Sequence, residues 1–584
     1  MPNLDPHLKV WRVNLRDRTL SVESTPARWQ PLGGRALLAR ILLDETPPEC
    51  DPLGEHNKLV FAPGLLVGHM LSSCDRISIG AKSPLTGGIK EANAGGRTGL
   101  QLALLGIKAL IIEGRPDPQN WMVLHLSADG ARFEPAGDLV GKGVYDTAPP
   151  LLEKYGDKVA IALIGPGGER GLLSAGIQNA DKEGTPSRIA ARGGLGALMG
   201  SRRLKAIVID GSGGEKPPIA DPKAFSAARK AYNKALMGHP QTKVYADYGT
   251  IAVARMCQSF GVLPVRNFSE GTFEGLETIS AEHMRATLLA RGGDCDTSHA
   301  CMVGCAIRSS NVYGDPDGKA IVSPLEYETI GLMGPNLGID DLDMIARLNR
   351  EVNDLGLDTI EIGCSLGIAA DAGLMDWGDG ERALELLHEI RQDTPLGRIL
   401  GHGPALAGKV LGVERIPAVK NQAMSAYDPR SLKGTGVTYA TSPQGADHTC
   451  GLTIRAPIDH LDPKGQVALS RNSQIKNAGF DALGACMFTG FGFNADLQVI
   501  PDLLNARYGW NLTTSVLEDL GRESLRLELE YNRRAGFTRA DDRLPEWMSR
   551  EPLAPTNAVF DVDTDEMDHI WDIFDDANAN GKPA

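Results

Sequence analysis

Three cysteines lie within eleven positions of one another near the middle of the chain: Cys295, Cys301 and Cys305. Thiolates at this spacing are typical of iron–sulfur clusters, zinc sites or disulfides. A cluster or a closed zinc site needs a fourth ligand, and our candidate is Cys486, in the run Asp-Ala-Leu-Gly-Ala-Cys-Met-Phe. The sequence therefore predicts a metal centre that joins two distant segments of the chain.

Two glycine runs have the composition of phosphate-binding loops. Gly95-Gly96 precedes a predicted helix, and Asn93 beside it offers a carbonyl oxygen to a cation that bridges phosphates. The second run follows Arg192, whose guanidinium suits a phosphate. Neither run is a P-loop, because no Gly-Lys-Ser/Thr follows. A glycine pair before a helix is more often a plain turn, but two such loops in one region favour a ligand with several phosphates.

Two further segments share the pattern polar-x-x-Gly-x-Asp/Cys, at residues 353–358 and 481–486. A helix end where glycine frees backbone groups, flanked by a carboxylate, suits hydrogen bonding to a flat, amine-rich heterocycle. Two ordinary helix C-caps are the simpler explanation of the same pattern.

A histidine and a carboxylate are candidates for acid–base chemistry. His448 follows Asp447 in a run that begins at Tyr439, and Glu328 lies in Glu326-Tyr-Glu, upstream of a long predicted helix. Histidine titrates near neutrality and is the common proton-transfer residue. A lone histidine is more often structural, and the sequence leaves open whether the two segments meet.

The composition narrows the class of protein. A chain of 584 residues is long enough for two to four domains, and 42% hydrophobic with 23% charged residues is ordinary for a globular enzyme. The net charge of −14 argues against a nucleic-acid partner. The sequence contains no apolar run of membrane-spanning length and begins with nothing like a signal peptide. Nine scattered cysteines favour a reducing compartment, so we expect a cytoplasmic protein with no membrane span.

The pattern of elements changes along the chain. Residues 8–15 and 19–25 predict a hairpin, and 58–62, 76–81, 109–113, 158–164 and 205–210 predict further strands, with a short helix over 99–105. After the linker at 212–218, residues 342–355, 369–375, 383–390 and 515–533 have helical character, with Asp341 and Gly356 as caps of the first of these helices. We therefore predict an α+β protein: a sheet-rich domain over 1–213, then mostly helical domains over 214–416 and 417–584.

Taken together, from about Val10 to Gly536, these motifs resemble the aldehyde:ferredoxin oxidoreductase family of tungsten-pterin enzymes. The resemblance implies an N-terminal sheet-rich domain that binds a tungsten (or molybdenum) bis-pyranopterin, two mostly α-helical domains, and one 4Fe-4S cluster near the metal. It implies Mg2+ bridging the pterin phosphates beside Asn93. It also implies oxidation of an aldehyde to a carboxylic acid, with electrons passed to ferredoxin or a partner subunit, and allows a homodimer.

The resemblance also assigns individual residues. The residues in the pterin-phosphate loops are Arg76, Asn93, Ala94, Gly95, Gly96, Arg192 and Gly193. The residues in the two pterin-binding turns are Asn353, Gly356, Leu357, Asp358, Asp481, Gly484 and Ala485. His448 corresponds to the proton-transfer residue and Glu328 to the carboxylate that positions water or substrate. The cluster ligands are expected to be Cys295, Cys301, Cys305 and Cys486.

The chain departs from the family pattern at the cluster. That pattern is Cys-x2-Cys-x3-Cys, and its first position falls on Ser298. Cys295 could reach the same iron through a flexible loop, Ser298 or His299 could substitute, or the cluster could be lost.

Two other departures are smaller. Asn353 stands where the pattern has aspartate, so that one carboxylate contact becomes an amide. Some members place an iron at a dimer axis with an acidic residue and a histidine, but the corresponding helix here reads Arg347-Leu-Asn-Arg350, so we predict no such metal.

Two other functions remain open on the sequence. The family resemblance also covers low-potential reductases of carboxylates or thioesters within larger complexes. A degenerate member that binds pterin without electron transfer would explain the altered cysteine motif, although it would need neither Glu328 nor His448.

Overall fold

The computed structural model describes residue 5 and residues 7–574. The strands are β1 (Lys9–Asn14), β2 (Thr19–Ser24), β3 (Leu59–Pro63), β4 (Ile77–Lys82), β5 (Ile89–Ala94), β6 (Ile107–Glu113), β7 (Met122–Ser127), β8 (Gly130–Pro135), β9 (Ala160–Leu163), β10 (Ile177–Ala180), β11 (Pro186–Ala190), β12 (Leu204–Ile209), β13 (Asp296–His299), β14 (Ser310–Gly314), β15 (Ala320–Val322), β16 (Ala418–Val419) and β17 (Gln422–Ala423).

The α-helices are α1 (Gly34–Glu45), α2 (Thr98–Leu104), α3 (Val144–Tyr155), α4 (Pro166–Glu169), α5 (Leu195–Ser201), α6 (Pro222–Gly238), α7 (Pro240–Tyr248), α8 (Ala254–Phe260), α9 (Ala281–Arg291), α10 (Tyr327–Met333), α11 (Leu342–Asp354), α12 (Thr359–Asp371), α13 (Gly380–Arg391), α14 (Pro395–Gly401), α15 (Pro404–Leu411), α16 (Lys433–Thr441), α17 (His448–Gly451), α18 (Gln466–Leu483), α19 (Gly490–Phe493), α20 (Val499–Tyr508), α21 (Val516–Arg534), α22 (Trp547–Arg550) and α23 (Thr564–Asp568).

The first twelve strands of the described chain form two six-stranded sheets with the same connectivity. The first sheet has the order β2-β1-β6-β3-β4-β5, and the second has the order β8-β7-β12-β9-β10-β11. In each sheet one internal pair is parallel, β1 with β6 and β7 with β12, and every other pair is antiparallel. The N-terminal region is therefore two copies of one strand topology, which we call the first half (9–113) and the second half (122–209).

The two sheets pack face to face as a sandwich. Alternate residues of each strand point to opposite faces, so Phe61 and Ile79 of the first sheet meet Leu124 and Ile207 of the second in one buried core. The outer face of the first sheet packs on α1, α18 and α21, and the outer face of the second packs on α3. Because both faces are covered, a central strand such as β3 is buried at every position.

Helices α8 to α16 and the loops around them share a large buried core. It includes Leu348 and Leu386 from the predicted second domain, and Val437 and Ile454 from the predicted third. The boundary between these two domains stays a prediction, and residues 1–4, 6 and 575–584 of the predicted domains lie outside the described part.

The expected α+β fold is confirmed, with a sheet-rich N-terminal region followed by a mostly helical one. The first hairpin, the five further predicted strands, the short helix at α2 and the long helices α11 and α21 are present, the last two within one residue of their predicted bounds. Among the described helices, we find none that combines the length and the apolar character needed to cross a bilayer.

Candidate active site

Two long helices end in matching turns. Gly356 follows α11 with φ +72°, and Gly484 follows α18 with φ +77°, a left-handed conformation that favours glycine. In the first turn the N–H of Gly356 donates to Asn353 O at 2.9 Å, and in the second the N–H of Gly484 donates to Asp481 O at 3.1 Å. Both segments are thus the helix C-caps that their sequence pattern indicated.

Each turn lies against a glycine at the end of an equivalent strand. A Cβ on Gly165, after β9, would lie 2.4 Å from the Leu355 carbonyl carbon, and a Cβ on Gly64, after β3, would lie 2.0 Å from the Gly484 nitrogen. Such distances leave no room for a side chain. The two halves of the sandwich therefore hold the two turns in the same way, by direct backbone contact.

Each turn borders its own cavity. The cavity at the first turn, of about 310 Å³, is lined by Asn353, Asp358, Ala94 and Gly95, among others. We call it the Asn353 cavity. The cavity at the second turn, of about 270 Å³, is lined by Asp481, Ala485, Asn93 and Arg192, among others, and we call it the Asp481 cavity. Arg76, Cys486 and Phe488 line both cavities, which therefore adjoin.

The remaining predicted loop residues shape these walls. Gly96 has φ +92° and donates its N–H to Cys301 O at 2.9 Å. Gly193 accepts a hydrogen bond from the Ser83 hydroxyl at 2.8 Å. Leu357 is buried in the helical core. These residues thus position the backbone around the cavities.

Arg76 and Asn93 form a pair on the cavity wall. Arg76 donates Nη2–H to Asn93 O at 3.1 Å, and its Nε–H to the side-chain oxygen of Asn93. The side-chain oxygen of Asn93, for which we predicted a cation as partner, is thus hydrogen-bonded to a guanidinium.

Arg192 is the centre of a buried network of charges. It is 4% exposed, and its guanidinium lies 3.8 Å from a carboxylate oxygen of Asp358 and 3.8 Å from one of Asp447. Lys90 Nζ lies 2.8 Å from Asp447 Oδ2. Burial raises the pKa of Asp447, but Lys90 and Arg192 outweigh burial and hold that pKa well below its usual range. Asp447 therefore stays ionised.

The structure brings His448 and Glu328 together. His448 Nε2 lies 3.3 Å from Glu328 Oε1, and the other carboxylate oxygen accepts a hydrogen bond from the N–H of Ala426 at 2.8 Å. His448 Nδ1 lies 2.8 Å from Ser425 Oγ, which also accepts a hydrogen bond from Arg192 Nη2 at 2.7 Å. Ser425 therefore links the ring of His448 to Arg192, and Nε2 of the ring faces Glu328.

A third cavity, of about 510 Å³, opens from this pair, and we call it the aromatic cavity. Its aromatic lining residues are Tyr245, Tyr327, Tyr427, Phe480, Phe488 and Phe491. His448 also lines the Asp481 cavity, Glu328 also lines the Asn353 cavity, and Phe488 lines all three. The histidine and the carboxylate therefore stand where the three cavities meet.

Glu326 holds the loop beside this junction. Its carboxylate accepts hydrogen bonds from the hydroxyls of Thr250 and Ser310, the second at 3.1 Å. A larger surface groove, of about 1070 Å³, lies between the segments 405–421 and 537–552 and borders none of the candidate residues.

Three of the four candidate cysteines come together. A hydrogen bond from the Cys301 thiol, supported by the Ser73 hydroxyl and two backbone amides, lowers the pKa of Cys305 to about 5 against the effect of burial. Cys301 and Cys486 both line the Asn353 cavity. Cys295 packs instead against the core of the helical region.

Several buried partners in the site were not singled out from the sequence. Ser425, Lys90 and Asp447 surround His448, while Arg35, 1% exposed, bonds Glu528 at 2.7 Å and Asp481 at 3.3 Å. No local spacing connects these residues, so only the folded chain identifies them. Asp447 stood next to His448 in the sequence, and that adjacency was the one available signal.

Comparison with known proteins agrees with this geometry. The chain matches the family model "Aldehyde ferredoxin oxidoreductase, N-terminal domain" over residues 10–211 and the model "Aldehyde ferredoxin oxidoreductase, domains 2 & 3" over residues 227–573. It is 34% identical over 580 residues to the tungsten-containing aldehyde ferredoxin oxidoreductase of Pyrococcus abyssi (strain GE5 / Orsay), with 93% of this chain and 92% of the relative covered.

Two more distant proteins are also similar. The aliphatic sulfonate oxidoreductase, WOR-like subunit, of Pyrococcus furiosus (strain ATCC 43587 / DSM 3638 / JCM 8422 / Vc1) is 28% identical over 536 residues, which cover 85% of this chain and 81% of that protein. The active site complex BamBC of benzoyl coenzyme A reductase with 1,5-dienoyl-CoA has a chain of the same fold, with a TM-score of 0.79 at 19% identity, over 98% of this chain and 94% of that one.

Proposed function

This chain belongs to the aldehyde ferredoxin oxidoreductase family, and on that premise we propose that it oxidises an aldehyde to a carboxylic acid at a tungsten (or molybdenum) bis-pyranopterin. Electrons would leave through an iron–sulfur cluster to a ferredoxin or a partner subunit. One observation carries the proposal. Each of two equivalent glycine turns borders its own cavity, and the two cavities meet at the His448–Glu328 pair.

The residues around the two cavities fit a pair of pterins. Asp358, which is buried, and Asp481, which is half-buried, supply carboxylates that can accept hydrogen bonds from an amine-rich ring. Arg76 and Arg192 supply guanidiniums for phosphate groups. A magnesium beside Asn93 would share the two oxygens of this residue with Arg76, which donates a hydrogen bond to each of them.

The bound cofactor would supply the two-electron redox chemistry, and the chain's own residues would manage protons and position. Oxidation of an aldehyde by water releases protons as well as electrons, so the site needs a proton acceptor. His448 Nε2, beside Glu328 and at the end of the aromatic cavity, is placed to exchange that proton.

Glu328 and Ser425 fix the histidine from its two sides. Glu328 lies 3.3 Å from Nε2 and can also orient a water molecule or the aldehyde. Ser425, itself held by Arg192, binds Nδ1 and sets the ring orientation. The substrate would then meet a histidine whose Nε2 faces the cavity.

The aromatic cavity favours an aldehyde with an apolar body. Six aromatic side chains line it, and such rings bind flat or hydrocarbon groups. Arg455 and Lys476 line the same cavity and suit a substrate with an additional anionic group.

The route for electrons passes by Cys486. This residue lines both turn cavities, Cys301 lines the Asn353 cavity with it, and Cys305 lies near Cys486. A cluster at these thiols would stand next to the cofactor, which supports electron exit in that direction.

A second candidate function is reduction of a carboxylate or thioester by the same site. We keep this candidate because the description of the WOR-like relative names a sulfonate and not an aldehyde, so that family membership alone does not decide the substrate. The degenerate, pterin-binding alternative is less supported, because the structure retains His448 and Glu328 at the cavity junction.

The test uses protein purified without oxygen from cells that make the cofactor and are supplied with tungstate and iron. We expect about one tungsten per chain and aldehyde-dependent reduction of a viologen dye or ferredoxin. Protein that holds tungsten but reduces a carboxylate or thioester, and leaves aldehydes unchanged, would favour the second candidate. Protein without tungsten or molybdenum would contradict both.

A further inference from the structure

We propose that this chain holds its iron–sulfur cluster with three cysteine thiolates, Cys301, Cys305 and Cys486. The fourth iron then has an oxygen ligand, from a serine hydroxyl or from solvent, and is readily lost on oxidation. This inference rests on the proposed function, which needs a cluster for electron exit, and it concerns the ligand set of that cluster.

The three thiols are tied together by one loop of the first half. Ser73 Oγ lies 3.2 Å from Cys305 Sγ, and Ser73 O accepts the N–H of Cys486 at 2.9 Å. Ser72 Oγ accepts the N–H of Ala306, next to Cys305, at 2.9 Å. The Cys301 thiol is hydrogen-bonded to Cys305. Ser72 and Ser73 therefore position Cys305 and Cys486, and Cys301 lies beside Cys305.

Cys295 is held away from this group. Its N–H donates to Gly292 O at 3.0 Å, and a Cβ on Gly314 would lie 2.6 Å from its sulfur, so the thiol packs on the other strand of its hairpin. Its neighbours belong to the helical core, whereas Cys301 and Cys305 belong to the core beneath the first sheet.

The strand between them keeps the thiols apart. β13 spans Asp296–His299 and pairs with β14 at both of its ends. An extended strand advances about 3.3 Å per residue, which places Cys295 roughly 13 Å from His299 along the strand. Cys295 can reach the cluster only if this hairpin unpairs, at the cost of its backbone hydrogen bonds.

Cys74 also lies near Cys305 and Cys486, but its thiol is buried beside Tyr232. It is fully buried, and its thiol is hydrogen-bonded to the hydroxyl of Tyr232, which in turn donates to Ser72 O at 2.8 Å. Its side chain packs in the apolar core, whereas Cys301 and Cys486 line a cavity. To serve as a ligand, Cys74 would have to leave this core and its contact with Tyr232.

The other cysteines of the described chain lie in different surroundings. Cys257 is hydrogen-bonded to Tyr327, Cys364 contacts Met424 O at 3.6 Å, and Cys450 lies 3.9 Å from Arg35 Nη1. Cys50 has Lys82 and Asp51 as its charged neighbours. Ser298 stands at the first position of the Cys-x2-Cys-x3-Cys pattern, so the side chain at that position has an oxygen atom in place of sulfur.

This ligand set has a redox consequence. A one-electron oxidant such as ferricyanide takes one electron from the cluster, and one iron leaves as the ferrous ion. A [4Fe-4S]2+ cluster becomes a [3Fe-4S]+ cluster, with charge balanced. A cluster with one thiolate on each of its four irons resists this loss, because a soft thiolate binds iron more tightly than a hydroxyl or water.

The experiment compares cluster type before and after stoichiometric ferricyanide, by electron paramagnetic resonance and by iron analysis on the whole protein. We expect the wild type to lose about one iron in four and to gain the signal of a three-iron cluster. Ser298→Cys should keep its iron, because it restores a fourth thiolate. Cys301→Ser should lose most of its iron, which verifies the assay.

Cys295→Ser and Cys74→Ser are the matched controls and should behave as the wild type. The proposal is wrong if either of them lowers the iron content, if the wild type resists the oxidant as well as Ser298→Cys does, or if the protein binds no iron. Thermal unfolding of each variant separates loss of a ligand from loss of the fold. Tungsten content and aldehyde turnover, measured on the same samples, show separately whether the proposed function stands.

Discussion

The two halves of the N-terminal sandwich have one topology but different neighbours. In the first half, the loop before β4 and the glycines after β5 contact the cysteine segments, through Ser73 and Gly96. In the second half, Arg192 after β11 contacts Ser425 and Asp447, and so reaches His448. In the proposed function, the same fold unit would therefore serve electron exit on one side and proton transfer on the other.

This difference shows where a duplicated scaffold can diverge. The parts that hold the turns are equivalent in both halves: Gly64 and Gly165 against the backbone, Gly484 and Gly356 at positive φ. The contacts beyond those glycines differ, with the cysteine segments on one side and His448 on the other. We therefore expect a symmetric frame for the cofactor whose two sides have different roles.

The largest effect is expected at His448, which the second half positions through Arg192 but which forms neither turn. His448→Asn removes the proton acceptor at Nε2 and should lower turnover by roughly 10²- to 10⁴-fold, as for other general acid–base residues. Tungsten and pterin content should be unchanged, since His448 does not form either turn. Steady-state kinetics with metal analysis checks this, and unchanged turnover would remove His448 from the mechanism.

The next effect concerns the first half, where Arg35 supports Asp481. Glu528→Gln leaves the guanidinium of Arg35 buried without its 2.7 Å carboxylate partner and should cost about 3–5 kcal/mol of unfolding free energy. Denaturant unfolding measures it. Glu385→Gln, in a surface ion pair of α13, is the control and should change little. Equal effects would mean that the Arg35 pair has no special role.

The equivalence of the two frames is tested by a matched pair, Gly356→Ala and Gly484→Ala. Each places a Cβ at positive φ and against backbone or side chain within 2.6 Å, so each should destabilise the protein by more than about 1 kcal/mol. Each should also lower cofactor content. A variant that lost cofactor in one case and kept it fully in the other would show that only one turn binds it.

Two buried carboxylates, one beside each turn, should give matching pH effects. Burial raises the pKa of Glu361 and of Glu91 to about 8, with Asp358 and Asp481 respectively adding to it. The folded protein then keeps a proton that the unfolded chain releases above about pH 4.5, so stability is lost as pH rises from about 4.5 to 8.

Glu361→Gln and Glu91→Gln should remove that loss. In cofactor-free protein, each variant should gain stability over the wild type as pH rises toward 8, by up to about 1.4 kcal/mol for each unit by which the carboxyl pKa is raised, and show little difference near pH 4.5. Thermal or denaturant unfolding across this range checks the slope. A constant difference at all pH values would contradict the raised pKa.

The smallest effect concerns the aromatic cavity. Lys476 lines it, and among the described residues we find no carboxylate in an ion pair with Lys476. Lys476→Met should raise KM about five- to tenfold for aldehydes that carry a carboxylate, and change KM little for neutral ones. An equal change for both classes would mean that Lys476 shapes the cavity without binding the substrate's charge.

Much of the frame could be predicted from the sequence, because it depends on local signals. The capped helix α11, the hairpin of β1 and β2, and both glycine turns follow from residue spacing within short windows. The duplication of the sandwich could not be predicted, because the two halves share a topology but few motifs. Helix α1 and strands β7 and β8 were also missed, since they have weak or short polarity patterns.

The candidate site was predictable only where residues stood in a motif. His448 and Glu328 were selected individually, and their 3.3 Å approach depends on long-range packing. The network of Lys90, Asp447 and Arg192 depends on burial, which decides whether charges pair. Cys295 is the opposite case. Its spacing in the sequence suits a metal ligand, but β13 keeps it away from the other three candidate cysteines.

The ratio of pterin to tungsten tests the central claim most directly. If the two equivalent turns each hold one pterin around a single metal, anaerobically purified protein should contain about two pterins per tungsten. The pterin can be measured as its fluorescent oxidation product, and the metal by elemental analysis of the same sample. A ratio near one would show that only one half of the sandwich binds cofactor and would contradict the account.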